Sequence, residues 1–126
     1  MIFEPPQDLE REKRAVKEFV KLFGGSFKRL GPSDVDYQIF DKDKKLIAYA
    51  DIVLSDTTLR DAYPLKINSR KLIKIFEKRL SPVIIWALKD AIIYGKVDSI
   101  SGTISSITGE LTVLYSDKKQ FKYLRL

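Results

Sequence analysis

Glu12, Asp36 and Asp51 are the residues of this 126-residue chain best suited to chemistry, and each lies in a different stretch of sequence. Glu12 falls in an amphipathic run, Asp36 opens a short strand-like run, and Asp51 interrupts the apolar stretch Leu46-Ile47-Ala48-Tyr49-Ala50-Asp51-Ile52-Val53-Leu54. A lone carboxylate in such a strand costs several kcal/mol or takes up a proton. A metal ion, a lysine or a hydrogen-bond network must therefore compensate it. Two or three converging carboxylates suit a hard divalent cation, which polarises a phosphodiester, lowers the pKa of an attacking water and stabilises the leaving oxygen. A lysine beside them orients the water and adds charge stabilisation to the transition state.

Composition narrows the chemistry further. The chain has neither cysteine nor histidine, which excludes disulfides, thiolate or imidazole zinc sites and histidine general bases. Oxygen-ligand chemistry with magnesium or manganese is what remains; no zinc, haem or nucleotide cofactor is expected. With 23 Lys and Arg against 17 Asp and Glu the formal charge is +6, a balance that favours polyanionic partners, nucleic acid first. The first residues show no basic region followed by an apolar stretch. The longest apolar run, 83–88, falls far short of the ~20 residues of a membrane span. A soluble, cytoplasmic protein without membrane partners is the expectation.

The elements that must position the acids follow from spacing. Pro5-Pro6 and Asp8 mark a helix entry; Leu9, Glu12, Val16, Phe19, Val20 and Phe23 recur at 3, 4 and 7 spacing, and Gly24-Gly25 ends the run. Glu12 lies on that apolar stripe and points inward, whereas its charged neighbours spread over other faces. Gly31-Pro32-Ser33-Asp34 predicts a turn, 36–40 a strand, 41–44 a hairpin loop and 45–54 the return strand. Both faces of 45–54 are apolar, as in a central strand, with Ile47, Tyr49, Asp51 and Val53 on one side. The polar stretch 55–64 reads as a loop, and Asn68 or Ser69 caps a helix through 70–80. Leu72, Ile73, Phe76 and Leu80 are its expected inner stripe, and Arg70, Lys74 and Lys78 its basic outer face. Strands at 83–88 and 91–97 follow, joined across Lys89-Asp90, then short strand-like runs at 102–104, 110–115 and 121–126. The order points to an α/β sandwich around a mixed sheet.

The acid-bearing part, with its helix, strand and apolar Asp51 strand in that order, resembles the PD-(D/E)XK nucleases, especially small phage-type and Holliday-junction-resolvase-like members. The hairpin Ile84-Ile85-Trp86-Ala87-Leu88-Lys89-Asp90-Ala91-Ile92-Ile93-Tyr94 resembles the strand pair after their second helix. By this resemblance Glu12 matches the helical glutamate, Asp36 the aspartate of the PD element, and Asp51 the acid of the (D/E)XK element. The resemblance implies a restriction-endonuclease-like αβββαβ core with a mixed central sheet and extra C-terminal strands. One nuclease-like domain would span 1–126, with its core at 9–97 and an extension at 98–126. The chain departs from the pattern at Val35, where the family has a non-chemical proline, and at Val53, where it has the motif lysine. Lys71 and then Lys66 are the available replacements, since some members supply that lysine from a displaced position.

The implied activity is metal-dependent DNA endonuclease, with Asp36, Asp51 and Glu12 holding magnesium or manganese. Arg70, Lys74 and Lys78 would contact phosphates, and a homodimer would place one site on each strand. The rival reading is a catalytically degenerate nuclease-fold domain that binds nucleic acid or a protein partner. A more distant third is a scaffold whose acids are structural. The plainer reading of Asp51 is an ion pair with a lysine or arginine, that of Glu12 a semi-exposed helix acid, and that of the basic stripe a solvated face. Asp34 competes with Asp36, and Trp86 reads as core rather than as a base-stacking platform.

Overall fold

The structure, a computed structural model, describes residues 6–31, 36–63, 65–77, 80–96, 102–104, 110–113 and 121–126. Helix α1 (Pro6–Lys21) carries Asp8 in its first turn and Lys21 in its last, each complementing the helix dipole. Its apolar stripe buries Ala15, Val16 and Val20. Gly24 adopts φ +69° just past its end, and the Gly25 N–H donates back to the Val20 carbonyl at 2.9 Å. That left-handed closure satisfies a terminal carbonyl and is the reason a glycine is needed there.

The chain then lays down strands β1 (Ser26–Arg29), β2 (Tyr37–Phe40) and β3 (Leu46–Leu54) as an antiparallel meander. β1 carries only Phe27 as an apolar residue and lies at a sheet edge, so alternation alone did not reveal it. The 41–45 loop closes around Asp41, whose carboxylate accepts the N–H groups of Asp43 and Lys45, both at 2.9 Å. After a 3-10 turn (Leu59–Asp61) come β4 (Lys66–Asn68), α2 (Ser69–Phe76), β5 (Ser81–Ala87) and β6 (Ala91–Lys96). The short strands β7 (Gly102–Ile104), β8 (Glu110–Val113) and β9 (Lys122–Arg125) complete the described elements.

The main sheet has the order β1-β2-β3-β5-β6-β9, and β3 pairs with β5 in parallel while its other pairs are antiparallel. A second, antiparallel sheet has the order β4-β8-β7. The protein is thus mixed α/β, with a six-stranded mixed sheet at its centre. β3 is central, as its two apolar faces predict. Ala48, Ala50 and Ile52 pack in one buried cluster with Ala15, Val16 and Val20 of α1. Tyr49 and Val53, on the other face, pack against the cluster that holds Ile67 of β4, Ile75 of α2, and Trp86. Trp86 is core, and its indole N–H donates to the Lys66 carbonyl at 2.9 Å, tying β5 to β4.

Helix α2 differs from its expected form. It ends at Phe76 rather than near 80, and Ile73, assigned to the inner stripe, is 59% exposed while Ile75 is fully buried. Packing against Tyr49, Val53 and Trp86 turns the helix so that Ile75 faces the sheet, and eight residues leave periodicity too little length to define a face. Lys71, one turn earlier at i−4, shares the Ile75 side. No helix among the described residues is long and apolar enough to cross a membrane.

Candidate functional site

The β2–β3 register pairs Tyr37 with Ala50 and Gln38 with Tyr49. Continued by one residue, it sets Asp36 opposite Asp51. The two aspartates are joined through the backbone as well: the Asp36 N–H donates to Asp51 Oδ1 at 3.3 Å, and the Ile52 N–H donates to Asp36 Oδ2 at 2.8 Å. From α2, Lys71 donates through Nζ to the Ile52 carbonyl at 2.7 Å and lies 3.6 Å from Asp36 Oδ2. Two carboxylates and one ammonium therefore meet around residue 52.

Their environments differ. Asp51 is 2% exposed, while Asp36 and Lys71 reach solvent in part. Burial, the side-chain hydrogen bond to Asp36 and the Asp36 charge together push the Asp51 carboxyl up to about 8 from an ordinary 3.8. The Lys71 charge and the Asp36 N–H act against that rise without cancelling it. Asp51 therefore ionises far less readily than an exposed carboxyl. All the donors are hard oxygens, the set that magnesium and manganese prefer.

Glu12 is buried at 4% exposure, inward as its place on the stripe predicts rather than semi-exposed. It belongs to α1, which covers the Ala48, Ala50 and Ile52 face of β3, whereas Asp51 alternates to the α2 face. Among the described residues no three acidic side chains form a group able to hold a metal ion. The structure brings together Asp36, Asp51 and Lys71, and leaves Glu12 in the other layer.

Lys66 is exposed on β4 and lines a cleft of about 570 Å³ with Val53, Asp56, Asp61, Asn68 and Lys71. Both replacement lysines therefore border one cleft, but only Lys71 reaches the carboxylates. Lys74 is exposed on α2. The backbone alone of Arg70 is described, and Lys78, like Asp34, lies outside the described residues.

Arg11 is a site-edge residue that spacing did not single out. Its guanidinium donates to Asp56 Oδ1 at 3.0 Å, to the Ser55 carbonyl at 2.9 Å and to the Ala87 carbonyl at 3.3 Å. It binds α1 to the carboxyl ends of β3 and β5, next to the cleft. No sequence signal marks it, because its partners are 44, 45 and 76 residues away. Comparison with protein families, with curated proteins and with solved structures finds no match to this chain.

Proposed function

We propose that the protein is a metal-dependent DNA endonuclease of the PD-(D/E)XK type, in which Lys71 takes the part of the lysine that Val53 replaces. The observation that carries this reading is the approach of Lys71 Nζ to 3.6 Å from Asp36 Oδ2, across from Asp51 on the neighbouring strand. The order of helix, three-stranded meander, helix and parallel strand supports a restriction-endonuclease-like core, to which β4 and β7 to β9 are additions.

Asp36 and Asp51 are the residues that would hold magnesium or manganese, and the ion would supply a polarised phosphate and an activated water. A cation held there would have to displace the proton that burial favours on Asp51. Lys71 holds a positive charge beside Asp36, where it stabilises negative charge on a phosphate and orients a water. Its bond to the Ile52 carbonyl fixes the ammonium without an arginine-like fork.

The test is incubation of purified protein with manganese or magnesium and linear, nicked, single-stranded and branched DNA, with Asp51→Ala run alongside. Cleavage by the wild type, absent from Asp51→Ala and reduced at least about a hundredfold by Lys71→Met, is the expected outcome. A second reading, a degenerate nuclease fold that only binds nucleic acid, is favoured by Val53 and by the depth of Asp51 at 2% exposure. Salt-sensitive binding without cleavage under either metal would establish it and overturn the first.

A further inference from the structure

The outer side of α1 and the edge strand β1 border a second cleft, of about 580 Å³, on the opposite layer from Lys71. It is lined by Glu10, Arg11, Lys13, Arg14, Lys17 and Phe27, four cations against one carboxylate. Arg11 is engaged by Asp56, and Lys21 farther along the helix by Glu18. Lys13, Arg14 and Lys17, all exposed, have no ion-pair or hydrogen-bond partner among the described residues. Phe27 forms an apolar wall for their alkyl stems and is itself held edge-on against Tyr37 at 5.6 Å.

The cleft also has a geometric relation to the carboxylate pair. β1 is the strand beside β2, and the Leu30 N–H at its end donates to the Asp36 carbonyl at 2.9 Å. Lys28 and Arg29 on β1 are exposed. Only two strand spacings, roughly 10 Å, separate this edge from β3. Positive charge therefore runs from the α1 cleft round the β1 edge towards Asp36.

We infer that this cleft binds the phosphate backbone of nucleic acid through Lys13, Arg14 and Lys17, on a face distinct from the α2 surface. The inference rests on the nucleic-acid part of the proposed function and locates where the substrate is gripped. Unpaired cations in a concave site release counterions when phosphates enter, which makes such binding strong at low salt and steeply salt-dependent. A lipid surface is a poorer fit. The cleft is concave, and among the described residues none of the exposed large apolar side chains, Leu22, Ile47, Ile73, Tyr123 and Leu126, lines it.

The experiment is fluorescence anisotropy with a labelled duplex and a labelled single strand in EDTA, across a potassium chloride series, so that no cleavage intervenes. The triple variant Lys13→Ala, Arg14→Ala, Lys17→Ala is compared with Lys42→Ala, Lys45→Ala, Lys89→Ala, which removes equal charge from other exposed positions. The α1 variant should lose affinity at least about tenfold at moderate salt. Its slope of log K against log salt on the duplex should flatten by between about two and three, near 0.9 per lost phosphate contact. The control should lose much less, and circular dichroism should be unchanged in both. Equal losses in the two variants, or none in either, overturn the inference. So does wild-type protein that prefers anionic phospholipid vesicles to both nucleic acids at the same salt. Binding lost in the α1 variant of a protein that never cleaves DNA supports the inference while the nuclease reading fails. Unchanged binding and cleavage in that variant sinks the inference alone.

Discussion

Asp51 keeps its proton to about pH 8 because it is buried against Asp36 before it is helped by Lys71. The consequence for stability has a definite sign. In the unfolded chain this carboxyl ionises near its ordinary 3.8, while in the folded protein it stays neutral to about 8. Its contribution is therefore fully present below pH 4, declines as pH rises through the interval and levels off above pH 8. In EDTA the thermal midpoint should fall between pH 5 and 8, and Asp51→Asn, which cannot ionise, should remove most of that slope. A wild-type midpoint that stays flat over this window would show that Asp51 is already ionised. Asp36 and Lys71 set the details of the curve, because one raises and the other lowers the pH at which Asp51 lets its proton go.

At the scale of elements, two devices set where the side chains of the site lie. The first is the α1 exit. A Cβ on Gly25 would stand 2.3 Å from the Phe40 carbonyl oxygen and 2.3 Å from the Phe23 ring, whereas one on Gly24 would meet only Lys42 Cβ, at 3.9 Å. Gly25→Ala should therefore cost about 1–3 kcal/mol through forced displacement of β2. Gly24→Ala should cost about 1 kcal/mol through its left-handed backbone alone. Denaturant midpoints of the two variants test the order, and equal losses would mean that β2 yields freely. The second device is the α2 docking angle. Ile75 in the core places Lys71, at i−4, over residue 52, and the exposed Ile73 shows that the helix was free to choose another face on periodicity alone. Lys66, exposed on β4, borders the same cleft, but among the described residues it is Lys71 that pairs with Asp36.

For the molecule as a whole, a cation that bound the proposed Asp36 and Asp51 site only in the folded state would stabilise the entire fold. Manganese at a hundredfold excess over Kd should add about 2.7 kcal/mol, read as a rise of several degrees in thermal midpoint. The proton of Asp51 makes that gain pH-dependent: little at pH 6, where the cation must displace it, and full at pH 8.5. Asp51→Asn should abolish the manganese effect at both values. A gain of the same size in that variant would place the cation elsewhere on the protein.

Much of this architecture is legible in the residues taken one after another, for a local reason. The two-residue period of a strand and the 3.6-residue period of a helix act over neighbouring positions, so the central strand, the inward Glu12, the buried Trp86 and the anomaly of Asp51 all follow from spacing. The absence of cysteine and histidine likewise rules out thiolate and imidazole ligands without any fold. Spacing says nothing about which strands pair in parallel or how a short helix is turned when it docks. Those outcomes depend on contacts between residues far apart in the chain, as in the bonds of Arg11 to 55, 56 and 87. Sequence thus determined that a carboxylate would be buried in β3; tertiary packing decided that Lys71 rather than Lys66 would approach its neighbour Asp36, and that Glu12 would lie on the opposite layer.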